Sequence, residues 1–376
     1  MTFRRSAPAA LIAAVVIVIA GVTFISDRLF SGLTASVERS QFQLMQSILD
    51  AALRNAADEA LARADIVASL PVTRQAVAGK DRERLIAEYA EMFKVQKARR
   101  GIDQIQFHVP PAQSLLRLHD PSAFGDDLTR FRPIVVAVNR EKAARKGVAI
   151  ARGGPVIVGI APVQDAKGSH VGSVEFGLDF GRLIDGLKAA YGLDFTVFIE
   201  EKPLREFAQG LNPAVLSEQN RLGRFIRFHT TNGAVMKELI GDADIAIVNE
   251  PVRYTRDSQG LPYGVLLVPL RDGAGESLGV IAVARDFSGS RAAAGRSLVW
   301  QICLGIFAIV ILSGVVIVVV RGFLLRPLDV IDRRAAAIAA GERTTTLEET
   351  DKFCPEVRRL AEHLERIETQ RGERAS

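Results

Sequence analysis

The sequence predicts an α+β protein in which two membrane-spanning helices flank one large folded portion. Two uncharged runs carry the membrane part of this prediction: nineteen residues from Ala7 to Ile25 and twenty-four from Ser297 to Val320. Between these runs, long stretches of helical periodicity come first, and short β-rich runs separated by glycine follow them. Helix and strand patterns therefore share the portion between the two spans.

Each uncharged run is long enough to cross about 30 Å of hydrocarbon as a helix. Arg4 and Arg5 precede the first run and four arginines follow the second, which places both termini in the cytoplasm. The first run is longer than a signal-peptide core and lacks a cleavage site, so we expect a retained anchor. The expected order is a cytoplasmic N-terminus (1–6), the first span (7–25), an external portion (26–296), the second span (297–320) and a cytoplasmic segment (321–370).

Composition argues against several classes of protein. The two cysteines, Cys303 and Cys354, lie outside the external portion, which must therefore rely on its own core. The net charge of +5 is spread along the chain without an aromatic stacking motif, so we expect no nucleic-acid binding. The histidines are scattered, and no metal-binding, phosphate-cradling or nucleophile motif occurs. We expect no catalytic residue, no metal and no cofactor, and a protein that is not an enzyme.

Two long helices are predicted at the start of the external portion. From Leu33 to about Leu70, apolar residues recur at steps of three and four: Phe42, Met45, Leu49, Ala52, Leu53 and Leu61. Pro71 marks the end of this helix or a kink, and a second helix is predicted from Asp81 to Arg100. The first helix forms a stalk that pairs two copies, or it packs on its own domain, and both can hold.

The segment from Phe107 to Val136, FHVPPAQSLLRLHDPSAFGDDLTRFRPIVV, has an unusual composition for a loop. Prolines stiffen its backbone, and aromatic rings, arginines and a histidine follow at close spacing. Such a set supplies the shape, orientation and charge that a pocket for a small polar ligand requires. The alternative is a rigid connector, in which Asp126 and Asp127 cap a helix and pair with the arginines.

An internal repeat follows this segment. Residues Val158 to Phe180 align without gaps on Val265 to Phe287, with seven identities at a constant offset of 107 residues. The identities include the Asp and Gly residues of a central turn and a terminal Asp-Phe pair. Each copy is predicted to form a strand, a turn and a returning strand, so two modules of similar plan lie in series.

The pattern FHxPPAxSxLRxHxPxxFGDDLxxFRxxV within the segment is similar to the signature of the third type of double Cache domain. This family is found outside the membrane in bacterial chemotaxis receptors and other two-pass sensors. The resemblance implies a distal module (about 70–195) and a proximal module (about 196–290), each a PAS-like antiparallel sheet with flanking helices, both hung from one long helix. It also implies a bacterial cytoplasmic membrane, with the sensor domain in the periplasm.

Two short amphipathic helices are predicted after the second span. Arg326-Pro327 opens the first and Pro355-Glu356 opens the second, and apolar residues follow at three, four, three spacing: Leu328, Ile331, Ala335 and Ile338, then Val357, Leu360, Leu364 and Ile367. The pair resembles a HAMP domain, as in the N-terminal half of methyl-accepting chemotaxis receptors. It departs from the family around Glu356, where an acidic pair and a glycine are usual. The resemblance implies a homodimer, since the four-helix HAMP bundle needs two chains.

The candidate ligand contacts lie mainly in the signature segment. They combine polar groups with aromatic walls: Arg117, His119 and Arg132, with Phe107, Phe124 and Phe131. Because arginine pairs bidentately with carboxylates, the expected ligand is a carboxylate or an amino acid. Glu175, on a strand of the first repeat, either orients an ammonium group or belongs to a structural ion pair.

These observations favour a transmembrane sensory receptor that binds a small external ligand. It would signal through the HAMP-like helices to a separate cytoplasmic output protein, and its other expected partners are the lipid bilayer and a second copy of the chain. Only ten residues separate Phe287 from Ser297, so a shift of the last strand has a short route to the second span. The alternatives are a receptor-derived scaffold that positions partner proteins at the membrane, and a truncated gene product.

Overall fold

The computed structural model of the protein describes residues 3–246, 248–273, 275–340 and 357–366. Its helices are α1 (Phe3–Ser69), α2 (Pro71–Ala78), α3 (Arg82–Arg100), α4 (Pro133–Glu141), α5 (Phe180–Tyr191), α6 (Glu201–Phe207), α7 (Gly233–Leu239), α8 (Asp242–Ile245), α9 (Ser288–Val319) and α10 (Arg326–Ala339). Short 3-10 turns occur at Pro213–Leu216 and Glu218–Asn220, a π-helical turn at Val320–Leu325, and a further helical segment at 357–366. The strands are β1 (Ile102–Val109), β2 (Gln113–Arg117), β3 (Arg145–Ala151), β4 (Gly154–Gln164), β5 (His170–Asp179), β6 (Asp194–Glu200), β7 (Arg221–Leu222), β8 (Phe225–Thr230), β9 (Val252–Ser258), β10 (Leu261–Arg271) and β11 (Ser277–Asp286).

The chain divides into two compact units, one formed by Ser36–Gly289 and the other by Met1–Ala35 together with Ser290–Ser376. The second unit contains two helical stretches long and apolar enough to cross a membrane. They are Ala9–Ser26, with a mean hydropathy of 2.7, and a window within Val299–Ala337, with a mean hydropathy of 3.1. The two stretches lie close together, because a Cβ placed on Gly305 would be 3.4 Å from Oγ1 of Thr23. Both predicted spans are therefore apolar helices.

The two long helices predicted in the external portion are present. α1 continues from the first apolar stretch to Ser69 without a break, and α2 begins at Pro71, a residue suited to the first turn of a helix. α3 starts after Asp81, whose side chain accepts a hydrogen bond from the Arg84 N–H at 3.0 Å. It ends at Gly101, which adopts the left-handed conformation that favours glycine.

Two antiparallel sheets make up the unit 36–289. The first has the strand order β2-β1-β5-β4-β3 and the second β7-β8-β6-β11-β10-β9. The two repeats of the sequence are the central hairpins β4–β5 and β10–β11, and the strands around them follow the same order in both sheets. In both turns an aspartate N–H, from Asp165 or Asp272, donates to the carbonyl four residues later at 2.9 Å. The repeated Asp179 and Asp286 each accept from a backbone N–H at the start of the following helix.

One hydrophobic core runs along α1 and joins both sheets. It contains Met45, Leu49 and Ala60 of α1 together with apolar residues of β1, β4, β5, β6, β10 and β11. The ring of Phe42 in α1 meets that of Phe287 edge-on at 5.4 Å between centroids. The opposite face of the first sheet is covered by α4, and that of the second by α7 and α8. α1 therefore packs on its own domain, one of the two arrangements that the sequence allows.

The helical segments that follow the second apolar stretch pack on each other within the second unit. Ile331 of α10 contacts Val357, Ala361 and Leu364 of the segment 357–366. Leu360, predicted as a packing residue, is 52% exposed, and Ala361 occupies the contact instead. The connector 341–356, including Gly341 and Pro355-Glu356, and Ile367 lie outside the described residues.

Gly159 tests the seating of α1 on the first sheet. A Cβ at this position of β4 would lie 2.0 Å from the backbone nitrogen of Leu61. We expect Gly159→Ala to destabilise the protein by about 3 kcal/mol, because the helix backbone must move away from the sheet. In thermal unfolding of the full-length chain this corresponds to a Tm lower by roughly 6 to 12 °C.

The matched control is Gly153→Ala, since nothing lies within 4 Å of a Cβ at Gly153. Equal stability of the two variants would show that α1 does not contact β4 in this way.

Candidate ligand-binding site

The central strands of the first sheet have one apolar and one polar face. Side chains alternate along β1, so Phe107 points into the core, where its ring stacks on Tyr89 at 5.7 Å, while Gln106 and His108 point to the other side. On the neighbouring strand β5, Glu175 lies opposite Gln106 and Ser173 lies opposite His108. All four of these polar side chains are buried. Buried polar groups require hydrogen-bond partners, and this patch is where the signature segment supplies them.

Arg117 anchors the loop of the signature segment to the end of β2. Its guanidinium donates two hydrogen bonds to the Asp126 carboxylate, at 2.8 and 2.7 Å, and a third to the Ala123 carbonyl at 2.8 Å. The loop also pairs with β2 through its backbone, since the N–H of Gly125 donates to the Ser114 carbonyl. The bidentate pair lowers the pKa of Asp126 from its ordinary value. Arg117 is therefore already engaged by the protein itself.

A buried ion pair between Arg132 and Glu175 closes the other side of the segment. Nη2 of Arg132 donates to both Glu175 oxygens, at 2.7 and 2.6 Å, and the two side chains are only 6% and 0% exposed. Gln104 donates to the same carboxylate at 3.4 Å and accepts from Gln106 at 2.9 Å. Nε of Arg132 is buried and has no hydrogen-bond partner among the described residues. A charged donor without an acceptor is costly, so a bound group that accepts from it would be stabilising.

A cavity of about 110 Å³ lies between these two ion pairs. Since one water-sized group needs 10 to 15 Å³, this volume has room for roughly seven to ten non-hydrogen atoms. Its walls come from the signature segment, β1, the end of β3 and the region after α6: Gln106, Arg117, His119, Asp126, Asp127, Leu128, Phe131, Arg132, Ile150, Ala151, Arg152, Phe207 and Gln209. The cavity is therefore the size of a small organic molecule and is lined by positively and negatively charged side chains.

Arg152 supplies a positive charge at the wall of the cavity, and its field reaches Asp120 and Asp126. It follows β3 directly and is exposed at the wall of the cavity. Asp127, an exposed acidic residue of the wall, accepts hydrogen bonds from the backbone and hydroxyl of Thr129 at 2.9 and 2.5 Å. Among the described residues, the Arg152 side chain forms no hydrogen bond or ion pair. An anion entering the cavity thus meets a free guanidinium as well as the unpaired Nε of Arg132.

Two histidines near the cavity are held neutral. Burial and the charge of Arg117 lower the pKa of His119 to about 4. Burial, and to a smaller extent the positive charges of Arg132 and Arg117, lower the pKa of His108 to about 3. Nδ1 of His119 and Nε2 of His108 are buried without a hydrogen-bond partner in the described part of the chain. A neutral imidazole at the cavity wall can donate or accept, and it adds no charge.

The structure brings some of the predicted contacts together and separates others. Arg117, His119, Phe131 and Arg132 line the cavity. Glu175 belongs to a structural ion pair, the second of its two predicted roles, and its partner is Arg132. Asp126 pairs with Arg117 as the connector alternative proposes, but neither aspartate caps a helix, since α4 starts after Arg132 without a side-chain cap.

Two predicted aromatic walls lie elsewhere. Phe107 is fully buried in the core on the opposite face of the sheet, because it neighbours His108 in a strand and must point away from it. Phe124 is 52% exposed, and the guanidinium of Arg82 lies 3.3 Å from its ring centroid. Arg82 also donates to the carbonyls of Leu115 and Pro121, so Phe124 helps to hold the loop against α3.

Sequence reasoning missed the six wall residues that lie outside the signature segment: Gln106, Ile150, Ala151, Arg152, Phe207 and Gln209. Gln106 could have been found from the alternation of Gln104, Gln106 and His108 with apolar residues in a predicted strand. The other five reach the site from the end of β3 and from the end of α6, and no local pattern indicates this.

Comparisons with known proteins agree with a sensory domain. The family described as the double sensory domain of two-component sensor kinase (dCache_3) matches residues 35–289. No curated protein matches the chain. Similar solved structures include the ligand-binding domain of the Campylobacter jejuni chemoreceptor Tlp3 in complex with 4-methylisoleucine, with 10% identity and a TM-score of 0.42 over 69% of this chain and 94% of that one. The periplasmic domain of Vibrio cholerae LuxQ has 14% identity and a TM-score of 0.36, over 68% and 99%. The ligand-binding domain of Pseudomonas fluorescens chemoreceptor CtaA in complex with L-serine has 12% identity and a TM-score of 0.36, over 67% and 98%.

The Arg132–Glu175 pair gives a stability test. We expect Glu175→Leu to destabilise the protein by about 3 to 5 kcal/mol, because it leaves the Arg132 charge buried without a partner. The double variant Glu175→Leu with Arg132→Met should recover most of this loss, since no buried charge remains. The measurement is thermal and denaturant unfolding of the full-length protein. A double variant no more stable than the single one would contradict the buried pair.

His119 predicts a defined pH dependence. In the unfolded chain it takes up a proton near pH 6.5, but in the folded protein only near pH 4. The unfolded state therefore binds more protons between these values, and stability falls as the pH falls from about 6.5 to 4. We expect His119→Gln to lose less stability than the wild type between pH 7 and pH 5, by on the order of 1 kcal/mol. Identical pH profiles for the two proteins would place His119 in solvent.

Proposed function

Since the chain belongs to the dCache_3 family of double sensory domains, whose match covers residues 35–289, we propose that it is a two-pass membrane receptor for a small organic anion. The observation that carries the proposal is the buried Nε of Arg132 beside a cavity of about 110 Å³, a charged donor that has no hydrogen-bond partner among the residues that the structure describes. In a sensory domain, such a donor is best explained as part of a ligand site.

The charges of the cavity support a carboxylate as the recognised group. Arg152 and Nε of Arg132 are uncommitted donors, and a planar guanidinium matches a carboxylate in geometry and charge. The neutral His119 and the Gln106 amide add polar contacts without repelling an anion. Asp127, also at the wall, offers an acceptor for an ammonium group, so amino acids belong to the proposed ligand class with simple carboxylates.

The proposed arrangement in the membrane follows the charge distribution. Arg4 and Arg5 before the first span support cytoplasmic termini and an external sensory domain. α10 and the segment 357–366, packed through Ile331 and Val357, act as the HAMP-like pair that passes the change to a cytoplasmic output partner. A homodimer completes the four-helix arrangement of that pair. In this proposal the chain has no catalytic activity of its own.

Ligand binding by the full-length protein in lipid nanodiscs tests the proposal. The first probes are alanine, propionate and ethylamine, which share a two-carbon unit and differ in the charged groups that this unit carries. A probe at one hundred times its Kd adds about 2.7 kcal/mol of stability, which raises the Tm by roughly 5 to 10 °C. We expect propionate or alanine to give this shift and ethylamine to give none.

Arg152→Ala is the variant that locates the site. Loss of a charge-assisted hydrogen bond should raise the Kd of the carboxylate by about 10- to 100-fold, and Arg152→Lys should restore part of it. Arg99→Ala, which removes an exposed charge from α3, is the control and should bind as the wild type does. Binding of ethylamine alone, or carboxylate binding indifferent to Arg152→Ala, would contradict the anion site. A protein that binds no probe favours the scaffold alternative.

A further inference from the structure

A second, smaller cavity of about 50 Å³ adjoins the candidate site. The two cavities share four wall residues, Phe131, Arg132, Ile150 and Phe207. The rings of Phe131 and Phe207 meet edge-on at 5.8 Å between centroids, so the same aromatic pair borders both spaces. The cavities therefore adjoin at these shared side chains.

The two cavities differ in chemistry. The larger one is walled by three arginines, two aspartates and a histidine. Beyond the shared residues, the smaller one is walled mainly by apolar side chains, including Val148 and Ala149 of β3 and Leu278 of β11. A small apolar space beside a charged one suits a ligand with a charged head and an aliphatic tail.

The far wall of the smaller cavity belongs to the second sheet. Asp272 and Gly273, in the β10–β11 turn, close it together with Leu278. The turn fits tightly on the first sheet: a Cβ at Gly273 would lie 3.1 Å from Cδ1 of Ile134, and one at Gly147 would lie 3.3 Å from Cα of Gly273. A group filling this cavity therefore touches both sheets.

We propose that the small cavity is the tail chamber of the ligand site and takes the aliphatic end of a short-chain carboxylate. The inference rests on the proposed anion site and narrows its ligand class. At 10 to 15 Å³ for each water-sized group, the chamber holds roughly three to five carbon atoms. With the carboxylate carbon in the larger cavity, the best ligand has about four to six carbons, with or without an α-amino group.

A chain-length series tests the tail chamber. Straight-chain carboxylates from acetate to octanoate, and glycine to norleucine as their amino counterparts, are titrated into the full-length protein in nanodiscs. Each methylene that enters an apolar space adds about 0.8 kcal/mol, which is about fourfold in Kd. We expect this gain to continue to about four to six carbons and then to stop.

Two substitutions change the chamber in opposite directions. Ala149→Leu fills it and should shorten the optimal chain by one or two carbons, with acetate binding unchanged. Leu278→Val enlarges it from the second sheet and should lengthen the optimum. Ala151→Leu is the matched control: Ala151 lies two residues from Ala149 on the same strand but borders the charged cavity. It should weaken every member of the series alike.

The outcomes separate the two proposals. If carboxylates bind with a Kd independent of chain length, or if Ala149→Leu and Ala151→Leu have the same effect, the tail chamber is wrong and the anion site stands. If neither carboxylates nor amino acids bind, the proposed anion site is wrong, and the proposed tail chamber, which depends on it, is wrong as well.

Discussion

The site depends on one constraint: the central strands of the first sheet carry a row of polar side chains on a face that the fold buries. Gln104, Gln106, His108 and Glu175 cannot be covered by an apolar helix, because each would lose its hydrogen bonds to water. The protein solves this by bringing Arg132 onto Glu175 at 2.6 Å and by folding the rest of the signature segment over the strands. A loop with its own ion pair at Arg117 fills space less completely than a helix does, and the charged cavity is what remains. The buried polar row and the cavity therefore have the same cause.

The second sheet shows what the same framework looks like without this constraint. In the repeat, Glu175 corresponds to Ala282 and Ser173 to Val280, and both of these small apolar residues are buried under α7 and α8. The strand paired with them places Thr196 and Phe198 where β1 has Gln106 and His108. The backbone plan is shared, including the Asp and Gly turn and the strand order. The difference between the two sheets thus lies in a few side chains on one face, while the backbone plan is the same.

Much of this arrangement was readable from the sequence where the signal is periodic or local. The helix periodicity between Leu33 and Leu70, the start of α3 after Asp81 and the two hairpins of the repeat each depend on residues within a few turns of one another. The site was only partly readable, because its walls combine distant segments. Arg132 and Glu175 were both selected, yet nothing local indicated that they pair across 43 residues. Composition alone groups Phe107 with the other aromatic residues of the segment, whereas the two-residue alternation of a strand directs its side chain into the core. Arg152 reaches the cavity wall because β3 packs beside a loop that lies some 25 residues earlier in the chain.

The β10–β11 turn, which borders the smaller cavity, and the start of α9 lie at the two ends of one strand, β11. One end of β11 begins at Ser277, next to the turn that lies against Gly147 of β3 and Ile134 of α4. Its other end is Asp286, and α9 starts two residues later at Ser288 and contains the second apolar stretch. A strand within a sheet transmits displacement along its length, since its ladder of hydrogen bonds to β6 and β10 resists stretching and bending. Phe287, between β11 and α9, is buried against Phe42 of α1, so the junction is held by the same helix that supports both sheets. The turn, β11 and the start of α9 therefore form one continuous stretch of chain that is held against both sheets.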